Sequence, residues 1–174
     1  MIYDIDKVVV ELIDILKRRG FQLRIVRGDI LQAQKELEPV GIKKRVIHFF
    51  ITSRRGSIDK DYVKGVDKLW NRTRPIKWRT FYFYNIVIVT NGDIDREAMK
   101  FIRDKMFGMW NVRPMFIWDV LNTSYTKITH LIDLKREAVV YPFELEDMKP
   151  FMHREVHEIM NEFVSKVFPA NSGE

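Results

Sequence analysis

Residues 43–52 read KKRVIHFFIT and residues 81–90 read FYFYNIVIVT, and these two stretches decide the fold. Both are rich in β-branched and aromatic residues, and both contain nearly continuous apolar runs of strand length. Such runs are typical of interior strands in a sheet that is covered on both faces. Between them, apolar residues from Tyr62 to Trp70 recur at helical spacing. A helical crossover requires the two strands to run parallel, so we expect a parallel pair at the centre of the molecule.

The flanking sequence predicts further elements. A helical pattern from Asp4 to Arg19 ends at Gly20, and alternation of apolar and polar residues predicts a strand over residues 21–28. Residues 29–41 fit either a strand or a short helix. Further along we expect a helix up to about residue 107, a strand over 115–120, a hairpin or two weak strands over 125–141, and an amphipathic helix over 144–168.

This order of elements predicts an α/β protein with a mixed central sheet and helices on both faces. We expect a core domain over residues 1–143, with the C-terminal helix of residues 144–174 packed on it. The length of 174 residues fits one domain. The chain has no cysteine, which excludes disulfides, thiolate metal sites and thiol nucleophiles.

The apolar runs are too short to span a membrane, so we expect a soluble, cytoplasmic protein with no membrane partner. Glutamine is scarce, cysteine is absent, and Lys, Arg and Glu are abundant. This composition indicates a thermostable protein.

The net charge of +6 is concentrated in one part of the chain. Residues 41–80 contain twelve basic residues against three acidic ones, a net charge of +9, whereas residues 144–174 carry −4. A heat-adapted network of ion pairs would balance the two signs locally, and this segment does not. The segment therefore favours a polyanionic partner, which we interpret as nucleic acid, DNA in preference to RNA.

The richest part of this basic segment, residues 70–79, places two tryptophans among four cations. In nucleic-acid sites cations contact phosphates while flat rings stack on unpaired bases. We expect Trp70 to close the preceding helical stripe into the core, and Trp78 to be the better candidate for stacking. The predicted nucleic-acid-binding residues are Lys43, Lys44, Arg54, Arg55, Arg72, Arg74, Lys77, Trp78 and Arg79, and we expect them on one continuous face.

The order of elements over residues 4–120, with a strand ending in Thr90-Asn91-Gly92 and a following helix with Glu97-Ala98, resembles the core of the restriction-endonuclease-like superfamily. That resemblance implies carboxylates that hold a divalent cation, together with a carboxylate-spacer-lysine motif on the central strand. It implies Glu11 as the helical acid and Asp29 as the acid after the first strand. Glu36 and Glu38 are reserves.

The central strand lacks the motif, because Thr52 and Ser53 stand about where the acid and the lysine are expected. We therefore expect a catalytically silent, non-enzymatic nucleic-acid-binding protein without catalytic residues, metal or cofactor. One alternative is a Mg²⁺-dependent nuclease using Glu11, Asp29, Glu36 and Glu38. Another is a protein-interaction module whose acidic C-terminal helix or aromatic surface docks a partner or a second copy, as in a homodimer.

The histidines give weaker signals. His153 and His157 are spaced so that both lie on one face of a helix, but the sequence offers no third ligand for zinc. We expect His48 to be a core or edge residue and not a general base.

Overall fold

The computed structural model describes residues 2–111 and 124–171. In chain order the elements are α1 (Ile5–Arg18), β1 (Gln22–Arg27), β2 (Ile30–Val40), β3 (Lys43–Arg54), α2 (Lys60–Thr73), β4 (Thr80–Thr90), α3 (Arg96–Lys105), β5 (Gly108–Asn111), β6 (Ser124–Asp133), β7 (Ala138–Val140), α4 (Leu145–Met148) and α5 (Arg154–Val167). Short 3₁₀ turns follow α4 and α5.

The strands of the described residues form one mixed sheet in the order β1-β2-β3-β4-β6-β5, and β7 also pairs with β6. β1, β2 and β3 form an antiparallel meander. β3, β4 and β6 are parallel, and α2 connects the first two of them. The prediction of an α/β fold with a mixed central sheet is confirmed.

Helices cover both faces of this sheet. α1 and α5 pack on one face, and their apolar residues join those of β3 and β4 in one core. α2 and α3 pack on the other face in a second core. Residues 46–52 of β3 and 84–90 of β4 are buried without interruption, because each strand lies between both layers. The expectation of two interior parallel strands is confirmed.

The loops that follow β3 and β4 are joined tightly at the carboxyl ends of these strands. The hydroxyl of Thr90 donates a hydrogen bond to the carbonyl of Gly56 (2.8 Å), and the side chain of Asn91 accepts one from the Gly56 N–H (2.9 Å). A Cβ atom at Gly92 would lie only 2.1 Å from the carbonyl carbon of Gly56. Glycine is therefore required for this close approach of two backbones.

One predicted element differs from the structure. The helix predicted over residues 144–168 is broken: α4 ends at Met148, a 3₁₀ turn contains Pro150, and α5 begins at Arg154. Proline interrupts a helix because it lacks an N–H and restricts the preceding residue. The ambiguous residues 29–41 form the strand β2, and the hairpin predicted over 125–141 is formed by β6 and β7. The strand predicted over 115–120 lies outside the described residues.

β6 is longer and more central than expected. Its polar residues interrupt the apolar pattern by which an interior strand is recognised in a sequence. In the structure Lys127, Thr129 and His130 are nevertheless buried and bond to partners from other elements. The third parallel strand of the sheet is therefore β6.

Candidate nucleic-acid interface

The cations of residues 41–80 are mostly unpaired with carboxylates. Arg55 lies 3.0 Å from the carboxylate of Asp6. Of the other cations in this segment, Arg79 aside, none lies within 4.0 Å of a carboxylate in the described part of the chain. The segment therefore keeps the concentrated positive charge that its sequence predicts.

Several of these cations lie on aromatic rings instead. Such contacts leave the cation's charge uncancelled, unlike an ion pair, while fixing its position. The ring contacts are Lys43 on Phe81, Arg45 on Phe83, Arg54 on Tyr62, Arg74 on Trp70, Tyr84 and Tyr125, and Arg79 on Trp78.

Some carboxylates of α5 form ion pairs within the molecule. Glu162 of α5 binds Arg18 and Arg19 of α1, and Glu155 binds Lys35. The hydrogen bond from Arg18, followed by that from Arg19, lowers the pKa of Glu162. These carboxylates of α5 therefore contact cations of the same chain.

A line of cations follows the exposed side of α2. Lys60, Lys64, Lys68 and Arg72 are four residues apart, and all are exposed. Residues at this spacing are neighbours on a helix surface, and the line extends about 18 Å at 1.5 Å per residue. Only Arg72 of the four residues in this basic stripe is among the predicted binding residues, although the four-residue spacing is visible in the sequence.

The loop of residues 74–79 continues from the basic stripe at the amino ends of β3 and β4. Trp78 is 55% exposed, and the guanidinium carbon of Arg79 lies 3.9 Å from the centre of its ring. Lys77 is exposed beside it. The N–H of Lys44 donates to the carbonyl of Arg79 (2.7 Å), which places the start of β3 next to this loop. Trp78 is therefore positioned as a surface ring among cations, as expected.

The predicted binding residues do not form one face. Lys44 and Arg54 are ten residues apart on β3, which corresponds to about 33 Å. Arg54 and Arg55 therefore lie at the opposite end of the sheet from Lys43, Lys44, Lys77, Trp78 and Arg79. The basic stripe runs along α2 between these two groups.

Arg74 also differs from its prediction, because its guanidinium packs on aromatic rings and is not on the open surface. Its guanidinium packs against the rings of Trp70, Tyr84 and Tyr125 at 4.7–5.4 Å, and the residue is half-buried. Trp70 is 2% exposed, so the expectation that it belongs to the core is confirmed. Arg74 stabilises this aromatic cluster, and we exclude it from the proposed contact surface.

A cleft between α2, α3 and the start of β6 adjoins the basic stripe. Lys127 lies at its base, with a side chain only 5% exposed, bonded to the carboxylate of Asp67 and to the carbonyl of Lys105. Trp110 and Tyr125 stack beside it, with ring centres 5.6 Å apart. Burial lowers the pKa of Lys127, and the hydrogen bond that Lys127 donates to Asp67 opposes that shift. This contact is not visible in the sequence because its partners are sixty residues apart.

The carboxylates proposed for a nuclease do not converge. Glu11 is ion-paired with Lys166 of α5 at 3.4 Å. Glu36 and Glu38 lie seven and nine residues beyond Asp29 along β2, or about 23 and 30 Å away. Within residues 2–111 and 124–171 no group of three or more His, Asp or Glu side chains is arranged to hold a metal ion.

Neutral groups occupy the position of the missing motif. Thr52 is buried, and its hydroxyl shares a hydrogen bond with that of Tyr62, on whose ring Arg54 lies at 4.4 Å. Ser53, the next residue, adds only a second hydroxyl. This end of β3 offers no carboxylate of its own for a cation.

The two histidines that the sequence places on one face of the last helix, His153 and His157, make separate local contacts. His153 is the N-cap of α5 and accepts a hydrogen bond from the N–H of Glu155 (3.1 Å). His157 contacts Asn161 one turn further along. His48 is 1% exposed, which confirms that it is a core residue.

Comparisons with protein-family models, curated proteins and solved structures gave no match. No helix among the described residues is long and apolar enough to cross a membrane. The class that this fold and surface define is an α/β protein with one mixed sheet and a basic surface along one helix.

Proposed function

We propose that this chain is a non-enzymatic nucleic-acid-binding protein that holds single-stranded nucleic acid, DNA in preference to RNA, along the basic stripe of α2 and the loop of residues 74–79. The observation that carries this proposal is a line of four cations, without a carboxylate partner in the described part of the chain, that leads to an exposed indole ring.

The charge supplies the affinity. Four cations along about 18 Å of helix match a polyanion, because each phosphate contact releases condensed counterions from the nucleic acid. Ion pairs with neighbouring carboxylates would weaken this attraction, and the structure gives the stripe none within the described residues. Lys43, Lys44 and Lys77 extend the positive surface beyond the end of α2.

The exposed ring selects unpaired bases. Trp78 has more than half of its surface open, and stacking on such a ring contributes about 1–3 kcal/mol per base. Bases within a duplex are already stacked on each other, so Trp78 favours single strands.

Absence of catalysis is the second part of the proposal. Under the resemblance to the restriction-endonuclease-like superfamily, Thr52 and Ser53 replace the charged motif, and Glu11 is engaged by Lys166. Without converging carboxylates a divalent cation lacks an anchor and water is not activated. The core then serves as a scaffold for the basic stripe.

A charge-reversal experiment tests the proposal. Binding of a fluorescein-labelled single-stranded DNA dodecamer is measured by anisotropy for the wild type and for Lys64→Glu/Lys68→Glu. We expect the double variant to bind roughly tenfold or more weakly at 0.1 M salt, because two phosphate contacts become repulsive. A matched RNA of the same sequence is expected to bind more weakly than the DNA.

The matched control is Lys7→Glu/Lys17→Glu, which makes the same change in total charge on exposed positions of α1, on the opposite face of the sheet. This control is expected to bind nearly as well as the wild type. Equal losses in both double variants would show that only net charge matters and would contradict a site on α2.

A further inference from the structure

All three glutamines of this chain line one cavity. Gln22, Gln32 and Gln34 are the only glutamines among 174 residues, and they surround a cavity of about 240 Å³ together with His48. The rest of the chain contains no glutamine, so the grouping of all three around one cavity is a feature of this cavity and not of the overall composition.

The sheet register explains how these side chains meet. Gln22 of β1 is paired with Gln34 of β2, and Gln34 is paired with His48 of β3. Gln32 is two residues before Gln34 on β2, so its side chain is on the same face of the sheet. The end of α2 closes the cavity, where Thr73 and Pro75 form part of its wall.

Hydrogen-bonding capacity remains unused in this cavity. The Nδ1 atom of His48 is buried and has no hydrogen-bond partner among the described residues. Gln32 donates through its amide nitrogen to Thr73 (3.2 Å), which leaves its carbonyl oxygen to accept. The amides of Gln22 and Gln34 make no hydrogen bond within the described part of the chain. A buried polar atom without a hydrogen-bond partner is unfavourable, and a ligand bonded to Nδ1 of His48 would remove that penalty.

The groups in the cavity indicate a neutral ligand with both donors and acceptors. The polar side chains of the lining are three amides, an imidazole, the hydroxyl of Thr73 and the guanidinium of exposed Arg24, without a carboxylate, and Leu23, Ala33 and Pro75 complete the wall. Burial lowers the pKa of His48 to about 3, so its ring is neutral at pH 7. The volume is below the roughly 300–1,000 Å³ of pockets that enclose drug-sized molecules, and it suits a single flat ring system.

We propose that this cavity, which we call the glutamine pocket, binds an unstacked nucleobase, adenine, from the single strand held on the basic stripe. A glutamine amide matches the N6 donor and N7 acceptor of adenine in a bidentate contact. Single-stranded nucleic acids are read in this way, with bases turned out and hydrogen-bonded on their edges. This inference rests on the proposed function, because it assigns base preference to the same bound strand.

The position of the pocket fits this role. Pro75, which lines the pocket, is three residues before Trp78. His48, another lining residue, is paired with Tyr84, and Tyr84 is four residues beyond the start of β4 at Thr80. The pocket therefore lies about 13 Å along the sheet from the start of β4, which follows the Trp78 loop. Arg24 at the rim provides a cation for the phosphate of the inserted nucleotide.

The first experiment compares a dodecamer of thymidines with one that carries a single central dA, by competition anisotropy. The dA-containing strand is expected to bind the wild type about tenfold more tightly. This preference is expected to disappear in Gln34→Leu and to remain in Asn161→Leu, which removes an amide from α5 on the opposite face. Equal affinity for the two strands, or a preference that survives Gln34→Leu, would overturn the adenine assignment.

A second experiment separates failure of the pocket from failure of the proposed function. Adenosine monophosphate is titrated into the wild type and followed by NMR signals of the His48 ring and the glutamine side-chain amides. Shifts confined to these signals, and lost in His48→Phe, are expected. Absence of shifts overturns the pocket, even when oligonucleotides bind with strong salt dependence. Absence of oligonucleotide binding, with these shifts still present, refutes the proposed function but leaves the pocket as an adenine site.

Discussion

Arg79 and Trp78 form a stacked cation–π pair at the surface, with the guanidinium carbon 3.9 Å from the centre of the indole ring. Arg79 adopts a left-handed backbone conformation, with φ at 55°. A residue other than glycine pays a cost of about 1–3 kcal/mol for a sparsely populated conformation, and such residues cluster at functional sites. The loop that presents Trp78 therefore contains a backbone conformation that is unusual for a residue other than glycine.

Replacement of Trp78 is expected to weaken binding without affecting folding. Trp78→Ala should lower single-stranded DNA affinity by about 1–3 kcal/mol, or about 5- to 150-fold, because a stacking platform is lost. Trp78→Phe should restore part of the affinity. Trp70→Ala should instead lower the free energy of unfolding by about 3–5 kcal/mol, because its ring is buried. Urea denaturation checks both variants, and greater destabilisation by Trp78→Ala than by Trp70→Ala would reverse the two assignments.

Two buried histidines predict a loss of stability in mild acid. Burial lowers the pKa of His48 and of His130 to about 3, against about 6.5 in the unfolded chain. Between pH 6.5 and pH 3 the two histidines bind protons only in the unfolded state. Their contribution to the free energy of unfolding is therefore complete above pH 6.5 and is lost as the pH falls towards 3. Within this range each histidine lowers the free energy of unfolding by about 1.4 kcal/mol for every pH unit of acidification.

Urea denaturation at pH 7, 6 and 5 measures this slope before most carboxylates titrate. We expect a decrease approaching 2.7 kcal/mol per pH unit from the two groups, with half-buried His153 adding in the same direction. His48→Phe should remove about half of the slope. A flat profile between pH 6.5 and 5 would show that these rings are accessible to protons in the folded state.

Nuclease activity is expected to be absent. The wild type should leave single- and double-stranded DNA intact in Mg²⁺ or Mn²⁺, including at elevated temperature, because the carboxylates of residues 2–111 and 124–171 do not converge on one cation. Gel electrophoresis of labelled DNA checks this. Cleavage that is abolished by Asp29→Ala or Glu11→Ala would favour the metal-dependent nuclease instead.

The sequence predicts β3 and β4 better than it predicts β6, although all three are interior strands of the sheet. β3 and β4 are predictable because burial on both faces requires continuous apolar runs, which are visible without knowledge of contacts. β6 is less visible because Lys127 and His130 interrupt its apolar pattern, and their partners Asp67, Asn85 and Tyr141 come from distant elements. Tertiary contacts of this kind override the local pattern.

The candidate site divides in the same way. The excess of cations over residues 41–80 and the exposure of Trp78 were predicted, since both depend on composition and local spacing. The separation of Arg54 and Arg55 from Trp78 follows from the length of β3, and the burial of Arg74 follows from three rings on different elements. The glutamine pocket depends on strand register, which a single sequence does not reveal.

The salt dependence of single-stranded DNA binding tests the central claim most directly. Affinity for the dodecamer is measured between 0.05 and 0.3 M salt, conditions set around the physiological range. For about five phosphate contacts on a single strand, the logarithm of the association constant should fall with the logarithm of salt concentration at a slope of roughly −3.5. Lys64→Glu/Lys68→Glu should reduce that slope by about 1.4, and Lys7→Glu/Lys17→Glu should leave it unchanged. A flat dependence in the wild type, or an unchanged slope in the α2 variant, would contradict binding by the basic stripe.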